Sequence, residues 1–119
     1  MRAAIGISVA LCILLLDVGL GMAQPFRITF RREPDEPSSL VLAGDLANDG
    51  GRDVVDVWVT AEAMNAEGKV VARGLAFVTS MLRGRSSTPF TVKLMRVQEA
   101  QAFRVAVSSF RYLYAIEAP

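Results

Sequence analysis

Apolar side chains recur at every second residue of this chain, in short runs separated by turn-forming residues. Phe90, Val92 and Leu94, for example, alternate with Thr91 and Lys93. A spacing of two places apolar side chains on one face of a strand, whereas an amphipathic helix needs spacings of three and four. No stretch after residue 23 combines the helical spacing with caps. The pattern therefore predicts an all-β fold in which each strand buries one face.

Seven alternating runs are found, and the first five are separated by segments that contain Pro, Gly, Asn or Asp. Short strands that follow one another at intervals of roughly 10 to 12 residues are typical of a two-layer antiparallel β-sandwich. A shift of the apolar phase at Ser108 and Ser109 predicts a bulge or a short turn there. The predicted strands lie near residues 26–31, 40–46, 55–64, 70–79, 90–94, 103–107 and 110–114.

Residues 1–23 have the pattern of a secretory signal peptide. Arg2 supplies a positive charge, and residues 3–16 form an uncharged apolar run that Asp17 ends. Gly21 and Ala23, two small residues two positions apart, then predict cleavage before Gln24. The alternative is that the run is kept as a membrane anchor, in which case Asp17 within the bilayer would cost a few kcal/mol.

The composition of the chain excludes several kinds of functional site in the remaining domain, residues 24–119. Cys12 is the single cysteine and lies in the apolar run, so the processed domain would contain no disulfide. The chain has no histidine, which excludes a Ser-His-Asp triad and a His-ligated metal. A net charge of +1 offers no bulk attraction to nucleic acid. We expect one exported domain, periplasmic or secreted, with no catalytic residues, no metal and no cofactor.

Five segments, in order, are similar to the motifs of FxLYD-type domains. Residues 42–48 resemble the family's G-x-V-x-N start, and residues 55–59 its alternating valine strand. Residues 65–71 resemble its glycine-containing hairpin, residues 82–90 its turn into the next strand, and residues 110–114 its name motif. The resemblance implies an immunoglobulin-like sandwich in an exported bacterial protein, with no catalytic residues to transfer.

The chain departs from that family at two turn positions. Asn65 replaces the aspartate of the hairpin, and Arg83 replaces the proline of the later turn. Both replacements fall in turns, so they bear on the family assignment more than on the predicted fold.

Acidic residues cluster around a Gly-Gly turn. Asp45, Asp49, Asp53 and Asp56 surround it together with Asn48, and oxygen-rich loops can hold Ca²⁺. The spacing matches no EF-hand loop, so an ordinary polar hairpin is the preferred interpretation.

Glu62, Glu67 and Asp56 are the candidates for a glycosidase acid–base pair. That chemistry needs two carboxyls that converge across a cleft, about 5 to 10 Å apart. A small sandwich has little room for a cleft, so we expect these carboxylates to face solvent.

Trp58 is the most informative single residue. It lies in the opposite phase to Val55, Val57 and Val59, so it is predicted to face outward if these valines face the core. An exposed tryptophan is typical of interaction hot spots and of sugar-stacking platforms. The alternative is that the proline-rich loop or an arginine stem covers it.

The sequence therefore favours a non-enzymatic module that contacts another envelope protein through the Trp58 face and a free strand edge. A membrane is expected as a partner only through an uncleaved leader. Tyr112 and Tyr114 are the further candidate binding residues, because amphipathic rings favour half-wet sites. The alternative is a small carbohydrate-binding module that uses Trp58 and Tyr112.

Overall fold

A computed structural model describes residues 24–33 and 38–114. The predicted signal peptide, residues 1–23, lies outside the described residues. The described part contains six strands and no helix, which confirms the all-β prediction. The strands are β1 (Phe26–Glu33), β2 (Ser39–Asn48), β3 (Val54–Met64), β4 (Val70–Leu82), β5 (Ser86–Met95) and β6 (Ala102–Tyr112).

The strands form two three-stranded antiparallel sheets that pack face to face. One sheet has the order β1-β2-β5 and the other β4-β3-β6. This order corresponds to strands A, B and E facing strands C′, C and F of an immunoglobulin domain. The chain is thus an immunoglobulin-like two-layer sandwich, as predicted.

Alternate residues of both sheets fill the space between them. Val57 and Val59 of β3, Leu42 of β2, Val92 of β5 and Val105 of β6 are almost completely buried. Each such side chain contributes about 1.5 to 3 kcal/mol when it leaves water. The period-two pattern of the sequence therefore identifies the core correctly for most strands.

The two sides of the sandwich differ in how the sheets meet. β4 and β5 come so close that a Cβ added at Gly74 would lie 2.3 Å from the carbonyl oxygen of Lys93. On the opposite side β1 and β6 each have a partner strand on only one edge among the described strands. Phe26 and Phe110 bridge that side, with ring centroids 4.9 Å apart. β4 and β5 also end their sheets but lie against each other, so the more open side of the described fold is that of β1 and β6.

The prediction of seven strands is wrong by one, because the last two runs form the single strand β6. Its pairing with β3 moves from Val59–Val107 to Trp58–Ser109, which leaves Ser108 as an extra residue. A bulge of this kind shifts the side-chain phase without ending the strand. The bulge predicted at Ser108 and Ser109 is therefore confirmed, whereas within the described residues the last two predicted runs form one strand and not two.

A second bulge corrects the predicted phase at the start of β3. Val54 is fully buried and Val55 only partly, whereas the sequence pattern placed Val55 in the core. Asp56 has a φ of 55°, and the β3 pairing register shifts between Val55 and Trp58. The extra residue reverses the alternation, so Val57 returns to the core.

Candidate interaction surface

Four large apolar side chains lie exposed on the outer side of the β4-β3-β6 sheet. Trp58 is 38% exposed, Leu75 61%, Phe77 49% and Met81 41%. Trp58 comes from β3 and the other three from β4, and Trp58 pairs directly with Phe77 across the two strands. We call these four residues the apolar face. Contiguous exposed apolar groups of this kind mark interaction sites in soluble proteins.

The two rings of the apolar face meet edge to face. The centroids of Trp58 and Phe77 are 5.4 Å apart, with an interplanar angle of 69°. Such a pair stabilises its own arrangement beyond simple area burial. The outward orientation predicted for Trp58 is what the structure shows, and Phe77 orders its ring in advance of any contact.

The bulge at Asp56 explains why Trp58 faces outward. Without the extra residue, strict alternation from buried Val54 would turn Trp58 toward the core. The left-handed φ of Asp56 is uncommon for a residue other than glycine, although Asp tolerates it better than most. Bulges often re-aim a side chain at a functional position. The local backbone thus presents Trp58 to solvent.

An ion-pair cluster borders one end of the apolar face. Glu62 on β3 accepts hydrogen bonds from Arg104 on β6 and Arg73 on β4, with Nε–O distances of 3.0 and 3.2 Å. The hydrogen bond from Arg104 is the main reason why the pKa of the Glu62 carboxyl lies below its ordinary value. A general acid needs the opposite shift, so this carboxylate is suited to holding two arginines in place.

The other two candidate carboxylates lie apart in the fold. Asp56 pairs with Arg111 at the opposite end of the apolar face. Glu67 is exposed in the β3–β4 turn, where its backbone N–H donates to the side-chain oxygen of Asn65 at 3.0 Å. Gly68 supplies the positive φ of that turn, 82°. None of this builds a cleft around a carboxylate pair.

The structure does not bring Tyr112 and Tyr114 together with Trp58. Tyr112 pairs with buried Val54 and packs against the core, which is the opposite face of the sheet from Trp58. The guanidinium of Arg52 lies 3.8 Å from the centroid of the Tyr112 ring and 5.3 Å from that of Tyr114. Tyr114 is 65% exposed and follows the end of β6.

Around the Gly-Gly turn, Asn48 and Asp53 form hydrogen bonds with the backbone of neighbouring segments. Asn48 is completely buried, and its amide donates to the carbonyls of Arg52 and Leu82 at 2.9 and 3.2 Å. Asp53 accepts a hydrogen bond from the N–H of Gly84 at 2.8 Å. Within residues 24–33 and 38–114 no group of three or more acidic, histidine or cysteine residues is placed to hold a metal ion.

The remaining two carboxylates of that cluster point to solvent or to a cation. Asp49 forms an exposed ion pair with Arg27, with an Oδ2–Nε distance of 2.9 Å, which lowers the pKa of the Asp49 carboxyl. Asp45 is exposed on β2. Each of the four aspartates of this region therefore has its own separate surroundings.

Sequence reasoning identified Trp58 but missed Leu75, Phe77 and Met81. The signal was present in β4, whose alternation is the least regular of the chain. Leu75 and Phe77 occupy one phase while Ala76 and Val78 occupy the other. A strand with apolar residues in both phases is expected to be covered on both faces. Among the described elements, only one face of β4 is covered by the sandwich.

Comparison with known proteins supports the fold alone. No protein-family model and no curated protein sequence matches the chain. The trimeric lipoprotein SadB of Salmonella enterica is similar in structure, with a TM-score of 0.50 and 16% identity over 70% of this chain. A DUF1425 family member from Shewanella sp. pv-4 has a TM-score of 0.47 and 14% identity over 78% of this chain and 81% of its own.

A beta-glucuronidase from glycoside hydrolase family 2 also matches, with a TM-score of 0.41 and 14% identity over 58% of this chain. The chain spans 7% of the length of that enzyme and 49% of SadB. Within the described residues, no helix is long and apolar enough to cross a bilayer.

Proposed function

We propose that this chain is an exported, non-enzymatic module of the cell envelope that binds another envelope protein through the apolar face. The observation that carries the proposal is the exposure of Trp58, Leu75, Phe77 and Met81 on one side of a sheet that the fold leaves uncovered. Burying these groups against a partner removes apolar area from water, which is the main driving force of association.

The surroundings of the apolar face favour protein contact. A protein interface typically has an apolar centre rich in aromatic side chains and Met, inside a polar rim. Here the Glu62 ion pairs border one end of the face, and the Asp56–Arg111 pair borders the other. Charges already held in pairs need little reordering when a partner arrives.

The same proposal includes export of the chain and its assignment to the FxLYD-type domains. The leader pattern of residues 1–23 supports export, and the ordered motifs between residues 42 and 114 support an FxLYD-type domain. Mass spectrometry of the protein from its native envelope tests the first point. A chain that starts at Gln24 is expected, and an intact chain beginning at Met1 in the membrane would favour the retained anchor.

Affinity capture from envelope extract tests the binding role. The double variant Leu75→Ser/Phe77→Ser removes two exposed groups without touching the core. Met95→Ser is the matched control, because Met95 is 72% exposed on β5, outside the apolar face. We expect the double variant to lose capture of a defined partner about tenfold or more, since truncating a hot-spot side chain at the centre of an interface costs about 2 kcal/mol or more. Equal capture by both variants would contradict the proposal.

A glycan panel separates the carbohydrate alternative from protein contact. The edge-to-face packing of Trp58 on Phe77 does not offer the two coplanar rings of an extended sugar platform. We therefore expect no glycan to change Trp58 fluorescence, whereas the captured protein shifts it to the blue. A shift with a glycan alone would transfer the proposal to sugar binding.

A further inference from the structure

One end of the sandwich, the end at which β1 begins, has several positively charged side chains that are not paired with a carboxylate in the described part of the chain. β1 begins at this end, and the β2–β3 and β4–β5 connections meet there. The N–H of Asp49 donates to the carbonyl of Pro25 at 2.8 Å, and the N–H of Arg85 to that of Asn48 at 2.8 Å. We call it the entry end, formed by residues 24–27, 49–53, 83–85 and 113–114.

Three arginines at the entry end carry the charge. Arg52, Arg83 and Arg85 are exposed, and none forms an ion pair with a carboxylate among the described residues. Arg27 and Asp49 neutralise each other. Asp53 is the remaining carboxylate here, so cations exceed anions at this end.

The opposite end of the sandwich is close to balanced in charge. Glu33, Glu67 and Glu99 lie at or beside its connections, against Arg31, Arg32, Lys69 and Arg96, and Arg31 forms an ion pair with Glu33. The connection between β1 and β2 adds two acidic residues, Asp35 and Glu36. The excess of cations is therefore a feature of the entry end.

Exposed apolar groups accompany the arginines at the entry end. Leu113 is 43% exposed and Tyr114 65%, and both directly follow β6. The guanidinium of Arg52 lies over the Tyr112 and Tyr114 rings, so its charge is held beside aromatic carbon. Tyrosine rings and arginine side chains are the groups that favour the headgroup region of a bilayer.

The sequence outside the described residues brings the same end near a membrane. The apolar run of residues 3–16 is separated from Gln24 by only residues 17–23. Such a segment spans at most about 30 Å even when fully extended. While the leader occupies the bilayer, whether before cleavage or as a retained anchor, the entry end is held within that distance of the lipid surface.

We propose that the entry end docks on an anionic lipid surface, with Arg52, Arg83 and Arg85 facing the headgroups and Leu113 and Tyr114 at the interface. The apolar face lies along the side of the sheet and stays available to a protein partner. The inference does not depend on the protein partner proposed above, although it rests on the export that is part of the same proposed function.

Vesicle co-sedimentation of residues 24–119 tests the docking. This part should fold without the leader, because every residue of the hydrophobic core lies between Ile28 and Val107. The lipids are phosphatidylcholine vesicles with and without phosphatidylglycerol. We expect binding only with phosphatidylglycerol, and its loss at high salt, because exposed charges are screened. Inorganic phosphate at the same phosphate concentration should not release the protein.

Matched charge variants complete the test. Arg83→Gln/Arg85→Gln removes two charges from the entry end, and Lys69→Gln/Lys93→Gln removes two from elsewhere. One arginine near an anionic surface is worth about a fivefold change in partition, so the first pair should weaken binding about 25-fold. The second pair should change it little. Equal losses, or no preference for phosphatidylglycerol while both pairs melt like the parent chain, would overturn the proposal.

Discussion

The outer faces of the two sheets contrast in what they present to solvent. The β1-β2-β5 sheet shows mainly polar and charged residues, including Arg31, Asp45, Thr91 and Lys93, with Met95 as a single exposed large apolar side chain among its described residues. It also has a shallow depression of 480 Å³ lined partly by Arg31 and Glu33. An ion pair of 2.7 Å joins those two residues. The β4-β3-β6 sheet shows the apolar face. Both sheets bury apolar residues on their inner sides equally well.

The difference between the two outer faces shows which apolar residues the core itself does not require. An antiparallel sheet needs one apolar side only, and the β1-β2-β5 sheet follows that rule. Leu75 and Phe77 add nothing to the core, and their exposure costs solubility. Their presence on the outer side of β4 is therefore the observation on which the proposed protein contact rests.

The largest effect expected is at Val57, beside the bulge and fully buried. Val57→Asp should unfold the domain, because an unpaired buried charge costs several kcal/mol and a small domain has about 5 kcal/mol to lose. Thr91→Asp on the polar outer face should cost about 1 kcal/mol or less. Thermal melts of both variants decide this, and similar melting temperatures would show that the assigned inner and outer faces are wrong.

The next test compares two truncations in the β4-β3-β6 sheet, one on its inner side and one on its outer side. Phe103→Ala on the inner side of β6 should cost about 3 to 5 kcal/mol, as large-to-small changes in cores do. Trp58→Ala on the outer side should cost less than about 1.5 kcal/mol. Urea unfolding measures both losses. A Trp58→Ala loss as large as that of Phe103→Ala would place Trp58 in the core and remove it from the apolar face.

The sequence predicts most of the fold because burial on one face leaves a period of two in every core strand. Leu40, Leu42 and Leu46 of β2 and Phe90, Val92 and Leu94 of β5 are all buried as that pattern indicates. Turn positions such as Gly68 follow as well, because few residues tolerate its backbone conformation.

The two bulges are harder to predict from the sequence alone than the strands are. The one at Ser108 is visible as a phase shift between Val107 and Phe110, since both flanking runs are apolar. The one at Asp56 is hidden, because Val54 and Val55 are both valine and either one fits the core. The apolar face is missed for a related reason. Its members lie on two strands, and only the register joins Trp58 to Phe77.

The bulge at Asp56 provides a smaller test of how Trp58 is kept outward. Asp56→Val places a β-branched residue at a positive φ and should cost about 1 to 3 kcal/mol. Asp56→Gly relieves that strain, and both variants lose the same ion pair with Arg111, so their difference isolates the backbone term. Urea titration gives the two values. If Asp56→Val were as stable as Asp56→Gly, the left-handed conformation would not be required.

The smallest effect concerns Glu62, which borders the apolar face. Its pKa is lowered in the folded chain, mainly by the hydrogen bond from Arg104. A lowered folded pKa means that the ion pairs stabilise the fold fully above the unfolded value of about 4.3, and that this stabilisation is lost as the pH falls through the folded pKa. Glu62→Gln should therefore be less stable than the parent chain at neutral pH, by about 1 kcal/mol because the arginines are largely exposed. The gap should begin to narrow as the pH falls below the unfolded value and should close only below the lowered pKa of the folded carboxyl, where the parent side chain is protonated. A gap that stays constant across this range in chemical unfolding would mean that Glu62 acts through packing, and that charge at the border of the apolar face does not stabilise the sheet.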